Sequence, residues 1–292
     1  MELRVLRYFL AVAREESISG AAEYLHLSQP TLSRQLMDLE EELGCKLLNR
    51  GKRNRKVVLT EDGMRLRRRA EEIVELADKT EAEFSQQNDD ISGDIYIGGG
   101  ETESMRLLAR TAFELQKNYP HIRYHLYSGN ADDVAERLEK GLLDFAVLVG
   151  DADKSRYAYT ALPTSDTWGL LLRRDDPLAQ KPVFYASDLK QLPLIMSQQA
   201  LAAGELSGWY GADFDKLNIV ATYNLIFNAS LLVEEGVGYA LALDKLIYTS
   251  KDSRLCFRPL DPQLKAQLCI AWKKFQVFSP AAEKFIKELQ KK

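Results

Sequence analysis

The chain has 292 residues, of which 46% are hydrophobic and 28% charged, and its formal net charge is −4. This length predicts about two domains, and the content of 17 glycines and 9 prolines excludes the collagen-like and Pro/Gly-rich disordered classes. No apolar run approaches the ~18 residues that cross a bilayer. The amino-terminal stretch is interrupted by Arg4, Arg7 and Arg14 and lacks the small-residue cleavage site of a signal peptide. We therefore expect a cytoplasmic protein with no membrane partner.

The charge is unevenly distributed along the chain. Residues 1–70 hold 14 Lys and Arg against 10 Asp and Glu, whereas residues 71–90 hold one Lys against eight acidic residues. The basic excess is concentrated in the run RGKRNRK at 50–56. Such a run is usually a solvated loop, but beside a helix-turn-helix it is a candidate contact to phosphate or the minor groove.

The first sixty residues are predicted to hold three short helices. Apolar residues at helical spacing predict an amphipathic helix over about 3–15. A second helix follows the capping residues Ser17 and Ser19. A third is predicted from its N-cap Ser28 to Gly44, a residue that commonly ends helices.

The third predicted helix has an apolar face and a polar face. The apolar stripe consists of Leu32, Leu36, Leu39 and Leu43. On the opposite arc, Gln29 offers both a donor and an acceptor to a base edge, Arg34 reaches phosphate or guanine, and Pro30 can pack on a thymine methyl. Two short helices with a tight connection predict a helix-turn-helix whose second helix enters the major groove, although a small helical bundle with a polar surface has the same pattern.

Two extended runs, at 46–50 and 56–59, flank the basic loop and predict a hairpin with a basic tip. Such a hairpin after a helix-turn-helix is a wing, which lies along the backbone or inserts Arg into the minor groove. The predicted DNA contacts are Ser28, Gln29, Pro30, Thr31, Ser33, Arg34, Arg50, Lys52, Arg53 and Arg55.

These sixty residues resemble, in one register, the signature of the LysR-type transcriptional regulators. The residues that carry the resemblance are Phe9, Ala13, Ser17, Ala21, Ala22, Leu25, Ser28, Gln29, Pro30, Ser33, Arg34, Gln35, Leu39, Glu40, Leu43, Gly44, Leu47, Arg50, Leu59, Thr60 and Gly63. The departures are minor: Ile18 and Leu48 stand where the family often has Phe, and Gly20 precedes the two alanines. The resemblance implies a winged helix-turn-helix over 1–60 that binds double-stranded DNA.

A long helix is predicted to follow, capped by Thr60. Its apolar positions, spaced 4, 3, 4, 3 and 4, are Leu66, Ala70, Ile73, Ala77, Thr80 and Phe84. This 3.5-residue repeat is typical of a seam between two helices, although packing against the same chain remains an alternative. In the family that the chain resembles, this segment is a linker that pairs two subunits, which implies a linker and hinge over 61–90 and a homodimer or homotetramer.

The remaining residues alternate between strand and helix patterns. Strands are predicted at 94–98, 122–126, 145–149, 168–173, 193–196, 219–222, 239–243, 255–258 and 267–272, and helices to Tyr119, around 134–138, at 227–235 and at 281–291. The order strand, helix, strand, helix, strand predicts right-handed crossovers and a mainly parallel sheet.

Polar residues follow several of these strands, where open α/β sheets bind ligands. They are Thr102, Ser104, Ser128, Asn130, Ser197, Gln198, Tyr223 and Asn224. Helix capping explains any one of them, but several polar turns in equivalent places favour a shared cleft.

This part resembles the effector-binding domain of the same family, which is itself similar to periplasmic solute-binding proteins. The resemblance implies an α+β multidomain chain with an effector domain over 91–292, divided into subdomain I (91–162 and 265–292) and subdomain II (163–264). It implies a small-molecule effector bound between the subdomains, no cofactor, and RNA polymerase as a further candidate partner. Family effectors are often anions held at the position of Thr102, but Glu101 and Glu103 flank that residue here and favour a neutral, zwitterionic or partly cationic effector.

Other classes of function are less well supported. The glycines of GGGETES match neither a P-loop nor a dinucleotide motif, Ser197 lacks a nucleophile-elbow context, and no base–nucleophile set can be assembled. An enzyme is therefore not expected. A DNA-binding regulator or architectural protein without small-molecule control remains the alternative.

The three cysteines, Cys45, Cys256 and Cys269, form no paired framework and have no CxxC spacing, so no structural zinc or other metal site is expected. Reduced, mostly buried thiols are the simpler interpretation, and a redox pair of Cys256 with Cys269 is the alternative.

Overall fold

The computed structural model describes residues 1–49, 56–84, 91–150, 152, 153 and 155–292, without the side chains of residues 82–84, 202, 203 and 205. The chain forms two compact units, Met1–Gln87 and Asn88–Lys292.

The amino-terminal unit is a helical domain with a short hairpin. Its elements are α1 (Leu3–Glu15), α2 (Ile18–Tyr24), α3 (Gln29–Leu43), β1 (Leu48–Asn49), β2 (Val58–Leu59) and α4 (Glu61–Phe84). The two strands pair antiparallel, with Leu48 opposite Leu59. The three predicted helices and the hairpin base are therefore confirmed.

Local capping explains where these helices begin and end. The Ser17 hydroxyl accepts a hydrogen bond from the backbone N of Gly20, and the Ser28 hydroxyl accepts one from Thr31. Gly44 ends α3 in the left-handed region, with φ of 65°. The predicted stripe on α3 is buried at Leu32, Leu36 and Leu39, but Leu43 is 40% exposed because the chain turns away there.

The long helix α4 packs against α1 through part of the seam predicted for a partner helix. Ala70 is fully buried in the core of this unit, and Leu66 is partly buried against the same core. For these two residues the alternative, packing within the same chain, is the one that the structure supports. The described members of the seam that do not join this core are Ile73, Ala77 and Thr80, and the side chain of Phe84 lies outside the described residues.

The carboxyl-terminal unit is an α/β domain. Its helices are α5 (Met105–Asn118), α6 (Ala131–Glu139), α7 (Ala186–Leu189), α8 (Gln198–Ala203), α9 (Glu205–Tyr210), α10 (Ile226–Glu234) and α11 (Pro280–Leu289). Its strands are β3 (Gly93–Gly99), β4 (Ile122–Ser128), β5 (Phe145–Val149), β6 (Tyr157–Arg173), β7 (Leu194–Ser197), β8 (Ile219–Tyr223), β9 (Tyr239–Leu243), β10 (Leu255–Pro259) and β11 (Lys265–Lys273).

The sheet is mixed, which corrects the prediction of a mainly parallel one. The strand order is β4-β3-β5-β11-β6-β9-β7-β8, with β10 also paired to β6. The pairs at the two ends are parallel, but β6, β10 and β11 pair antiparallel in the middle. The prediction failed there because the sequence pattern showed only the last third of β6, at 168–173, and missed the part that pairs with β11.

Different groups of buried side chains pack against the two halves of β6. One contains Ile95 and Phe145 together with Leu268 and Phe285, so the last strand and helix return to the first strands. The other contains Leu170 and Leu194. This arrangement supports the predicted division into two subdomains, whose bounds stay a prediction.

The cysteine pair considered from sequence is excluded by strand register. Cys256 lies opposite Leu172 of β6, whereas Cys269 lies opposite Ala161 of the same strand. Eleven residues along a strand place the two thiols on the order of 30 Å apart, far beyond the ~7 Å between Cα atoms that a disulfide allows. Burial also raises the pKa of the Cys256 thiol, which keeps it protonated.

Candidate functional site

The first candidate site is the exposed face of α3. Ser28, Gln29, Pro30, Thr31 and Arg34 are exposed, and Ser33 is half-buried. They share one helical surface because the residues between them, such as Leu32, belong to the core. This surface offers hydroxyl, amide and guanidinium groups at the first turns of a helix, where major-groove contacts are made.

The base of the wing is held by groups that come from its neighbours. The Glu40 carboxylate accepts hydrogen bonds from the backbone N of Leu47 (2.7 Å) and of Leu48 (3.0 Å). The Thr60 hydroxyl donates to the Lys46 carbonyl at 2.6 Å. The chain at Gly63 passes so close to Leu47 that an added Cβ would lie 2.2 Å from the carbonyl oxygen of Leu47. The predicted wing contacts Arg50, Lys52, Arg53 and Arg55 lie outside the described residues.

The second candidate site is a cavity of about 100 Å³ in the carboxyl-terminal unit. At ~10–15 Å³ for each water-sized molecule, it has room for a small organic compound. It lies where the parallel strands end: Glu101 and Thr102 follow β3, Ala131 begins α6 after β4, and Asn224 follows β8. The remaining wall residues are Gly100, Val134, Val147, Leu148, Val149, Trp168, Ser197, Gln199, Ala200, Tyr223, Ile226, Leu243, Leu246 and Leu268.

Half of the residues predicted for the effector site line this cavity. They are Thr102, Ser197, Tyr223 and Asn224. The other four, Ser104, Ser128, Asn130 and Gln198, do not line it.

Several of the predicted residues bind the backbone in ways that sequence could not separate from ligand binding. The Asn130 side chain caps α6 by accepting from the backbone N of Asp133, and the Ser197 hydroxyl caps α8 by accepting from Ala200. The Tyr223 hydroxyl donates to the carbonyl of Leu241 at 2.7 Å, which holds its ring against β9. Burial raises the pKa of Tyr223, so this hydroxyl stays protonated.

Thr102 is tied to a buried carboxylate. Its hydroxyl donates to Asp166 Oδ2 at 2.5 Å and accepts a hydrogen bond from the backbone N of Ser104 at 3.0 Å. Asp166 is only 2% exposed, and it also accepts from the backbone N of Glu103. Burial raises the pKa of Asp166, with a further contribution from nearby Asp244, while the Thr102 hydroxyl opposes the shift.

Glu101 reaches across the cavity. Its Oε2 accepts a hydrogen bond from the backbone N of Ile226, at the start of α10, 2.5 Å away. Since β3 and α10 belong to opposite ends of the sheet, this bond joins the two sides of the cavity directly. In the sequence Glu101 is recognisable only as a charge that flanks Thr102, because nothing local indicates a partner 125 residues away.

The apolar wall of the cavity was also not predicted from the sequence. The sequence identifies only ordinary strand residues at Val147, Val149, Trp168, Leu243 and Leu268. Strand pairing, which sets Val149 opposite Leu268 and Trp168 opposite Leu243, contributes to bringing them to one cavity. No signal in the sequence distinguishes a strand residue that faces a cavity from one that faces the core.

Two family descriptions match the chain. The LysR substrate binding domain matches residues 88–292, and the bacterial regulatory helix-turn-helix protein of the lysR family matches residues 3–64. The chain belongs to the LysR family. It is a DNA-binding transcriptional regulator with an amino-terminal helix-turn-helix and a carboxyl-terminal effector-binding domain, as the resemblance implied.

Several curated relatives of this LysR regulator are themselves regulators. It is 33% identical over 147 residues to the HTH-type transcriptional regulator BsdA of Bacillus subtilis, a match that spans half of each chain. It is 26% identical to the uncharacterized HTH-type transcriptional regulator YfeR of Shigella flexneri, over 96% of this chain and 91% of that one. It is 32% identical to the DNA-binding transcriptional dual regulator OxyR of Escherichia coli, over 67% of this chain and 63% of OxyR.

The fold is that of solved LysR-family structures. CbnR, a LysR family transcriptional regulator, matches with a TM-score of 0.78 and 19% identity, over 100% of this chain and 99% of that chain. Full-length CbnR in complex with its target DNA matches with a TM-score of 0.77 and 20% identity, over the same shares. At these identities the likeness establishes the fold.

The described part of the regulator has neither a membrane-spanning helix nor a cluster of metal-binding side chains. In that part, none of the helices is long and apolar enough to cross a membrane. Nor does it bring together three His, Cys, Asp or Glu side chains in an arrangement that could hold a metal ion.

Proposed function

We propose that the cavity beside Thr102 is the effector site of this LysR regulator and that its occupancy changes the affinity for DNA. The observation that carries the proposal is the Glu101–Ile226 hydrogen bond, which spans a cavity lined from both ends of the sheet. A molecule in this cavity contacts both sides at once, so it favours one arrangement of the two sides over another. A ligand with different affinities for two arrangements shifts their equilibrium by the ratio of those affinities.

A thermal-shift screen of metabolites combined with a DNA-binding assay tests this proposal. At least one compound should raise the melting temperature and alter DNA affinity in the wild type. Ala131→Trp should abolish both effects, because Ala131 lines the cavity and a larger side chain fills it. Asp132→Trp, on the next and exposed residue, is the matched control. Intact DNA binding with no response to any compound would favour regulation without a small molecule.

For DNA, the proposal assigns base and phosphate contacts to the exposed residues of α3. Gln29 lies in the first turn, where its amide presents a donor and an acceptor together. Arg34 lies further along the same exposed surface and suits a phosphate or a guanine. The basic run at 50–56 supplies further charge for the DNA backbone.

The proposal includes a homodimer formed through α4. Ile73 and Leu76 are each 41% exposed on this helix, and Thr80 continues the same face. Leu66 is partly buried against the core of its own unit, so Ile73 and Leu76 replace it as the central contacts of the seam. A two-fold pairing of such a face removes apolar surface from water on both copies.

The chain is also proposed to have no enzymatic activity, in keeping with a family of transcriptional regulators. The support comes from the cavity itself, whose wall is mostly apolar. Two of its hydroxyl groups, those of Thr102 and Tyr223, are bound to Asp166 and to a backbone carbonyl, and the Ser197 hydroxyl caps α8. The backbone carbonyl that accepts from Tyr223 is too weak a base to make that hydroxyl a nucleophile.

A further inference from the structure

Most of the hydrogen-bonding capacity of the Thr102 hydroxyl is used within the chain. A threonine hydroxyl has one proton to donate and two lone pairs that accept. The proton is donated to Asp166 Oδ2, and one lone pair accepts from the backbone N of Ser104. Thr102 therefore presents only a lone pair to the cavity. A ligand group that meets it must bring an N–H or O–H donor.

At two helix starts beside the cavity, those of α5 and α10, carboxylates of the chain already accept backbone N–H groups. Asp166 accepts hydrogen bonds from the backbone N of Glu103 and from the Thr102 hydroxyl, just before α5 begins. The Glu101 carboxylate accepts a hydrogen bond from the backbone N of Ile226, the first residue of α10. Helix amino termini are favourable positions for anions, and at these two the chain's own carboxylates take the place of a ligand anion.

The charge of the cavity wall also disfavours an anionic ligand. Among the described residues that line it, none is Lys, Arg or His, and Glu101 is the one carboxylate. Most of the remaining wall is aliphatic or aromatic, including Trp168 and Leu243. An anion in this cavity would lose its hydration, would lie near the negative charge of Glu101, and would find no basic side chain in the wall.

We propose that the effector carries no anionic group and donates an N–H or O–H to Thr102, with Glu101 as the residue that excludes carboxylates. A primary amide or an ammonium group on a small apolar skeleton has this chemistry. The inference rests on the proposed function, because it takes the cavity to be the effector site.

The test uses sets of probes that differ in one group. For isobutyl, cyclohexyl and phenyl skeletons, the amide, the ammonium and the carboxylate are each titrated into the full-length chain. Binding is followed by calorimetry and by the fluorescence of Trp168, which lines the cavity. In the wild type, the amide or the ammonium of a set that binds should have a dissociation constant lower than that of its carboxylate by ~10-fold or more.

Two charge-removing variants identify the residue responsible. Glu101→Gln keeps an oxygen that can accept from Ile226 and removes the charge. The ratio of the dissociation constant of the carboxylate to that of its amide or ammonium partner should therefore fall several-fold. Glu103→Gln is the matched control, because Glu103 pairs with Arg106 and does not line the cavity. This variant should keep the wild-type preference.

Each outcome has a distinct meaning. A carboxylate that binds the wild type as tightly as its amide and ammonium partners would overturn the inference and leave the cavity as an effector site. An equal preference in wild type and Glu101→Gln would overturn the role given to Glu101. If no member of any set binds at millimolar concentration, the cavity is not a small-molecule site, and the proposed function itself fails.

Discussion

Glu101 and Ile226 are joined by a hydrogen bond between the Glu101 carboxylate and the first backbone N of α10, 2.5 Å apart. The bond connects residues 125 positions apart in the chain and crosses the cavity that we propose as the effector site. A carboxylate at a helix amino terminus satisfies an otherwise unpaired donor and interacts favourably with the helix dipole. The contact is therefore a stabilising link between the two sides of the domain, and a ligand that separates them must break it.

Thr102→Val should destabilise the carboxyl-terminal domain by ~1–3 kcal/mol, because buried Asp166 loses the hydroxyl that donates to it. Without the structure this substitution would be expected only to weaken a ligand. Thr102→Ser keeps the hydroxyl and should stay near the wild type. Urea unfolding of the full-length chain measures both. Equal stability of the valine variant and the wild type would mean that the Thr102–Asp166 bond contributes nothing.

The stability of the chain should also depend on pH through Asp166. Burial raises its pKa above the usual 3.8, so the folded state binds this proton more tightly than the unfolded state does. Stability from this group is then greatest below pH ~4 and falls as the pH rises through the folded-state pKa. The unfolding free energy of Asp166→Asn minus that of the wild type should accordingly increase from about pH 4 upward. A difference that stays flat or decreases would contradict the raised pKa.

Gly63→Ala should destabilise the amino-terminal unit by ~2–4 kcal/mol, because the new Cβ would lie 2.2 Å from the backbone oxygen of Leu47. Gly20→Ala is the control within a helix, since the nearest atom to its Cβ would be 3.5 Å away. That variant should gain ~0.5–1 kcal/mol from the better helix propensity of alanine. Thermal unfolding distinguishes the two, and a neutral Gly63→Ala would show that the wing base can move apart at little cost.

Gln29→Ala should weaken binding to the cognate DNA by ~1–3 kcal/mol and relax the preference at one base pair. Gln29 is exposed in the first turn of α3, so the variant should fold normally. Selection from random DNA with wild type and variant measures the preference. Glu41→Ala, exposed near the other end of the helix, should leave it unchanged. The same base preference in both proteins would remove Gln29 from the base-reading residues.

Ile73→Glu should raise the dissociation constant of the dimer by roughly 100-fold, because each copy buries a charge against its own symmetry mate. Met64→Glu is the matched control: Met64 is also exposed on α4 but lies nine residues earlier, on the opposite face of the helix. Light scattering of the full-length chain over a concentration series reports the change. A monomeric wild type at tens of micromolar would contradict the seam itself.

Local signals account for the parts of the fold that sequence analysis predicted well. Ser28 and Gly44 cap α3 as expected, because a cap depends on a few adjacent residues. The strand at 145–149 was equally clear from its apolar run. β6 was predicted at less than half its length, because Pro163 and the polar residues around it interrupt the alternation that identifies a strand.

Sequence by itself determined the family, the helix-turn-helix and the polar face of α3, since these depend on residue types at fixed short spacings. Tertiary structure alone decided that Ala70 packs in its own unit and that Thr102 has no proton left for a ligand. It also decided that Glu101 fills the helix terminus at Ile226. The partners of Thr102 and Glu101 lie 64 and 125 residues away, so only the folded chain brings them within hydrogen-bonding distance.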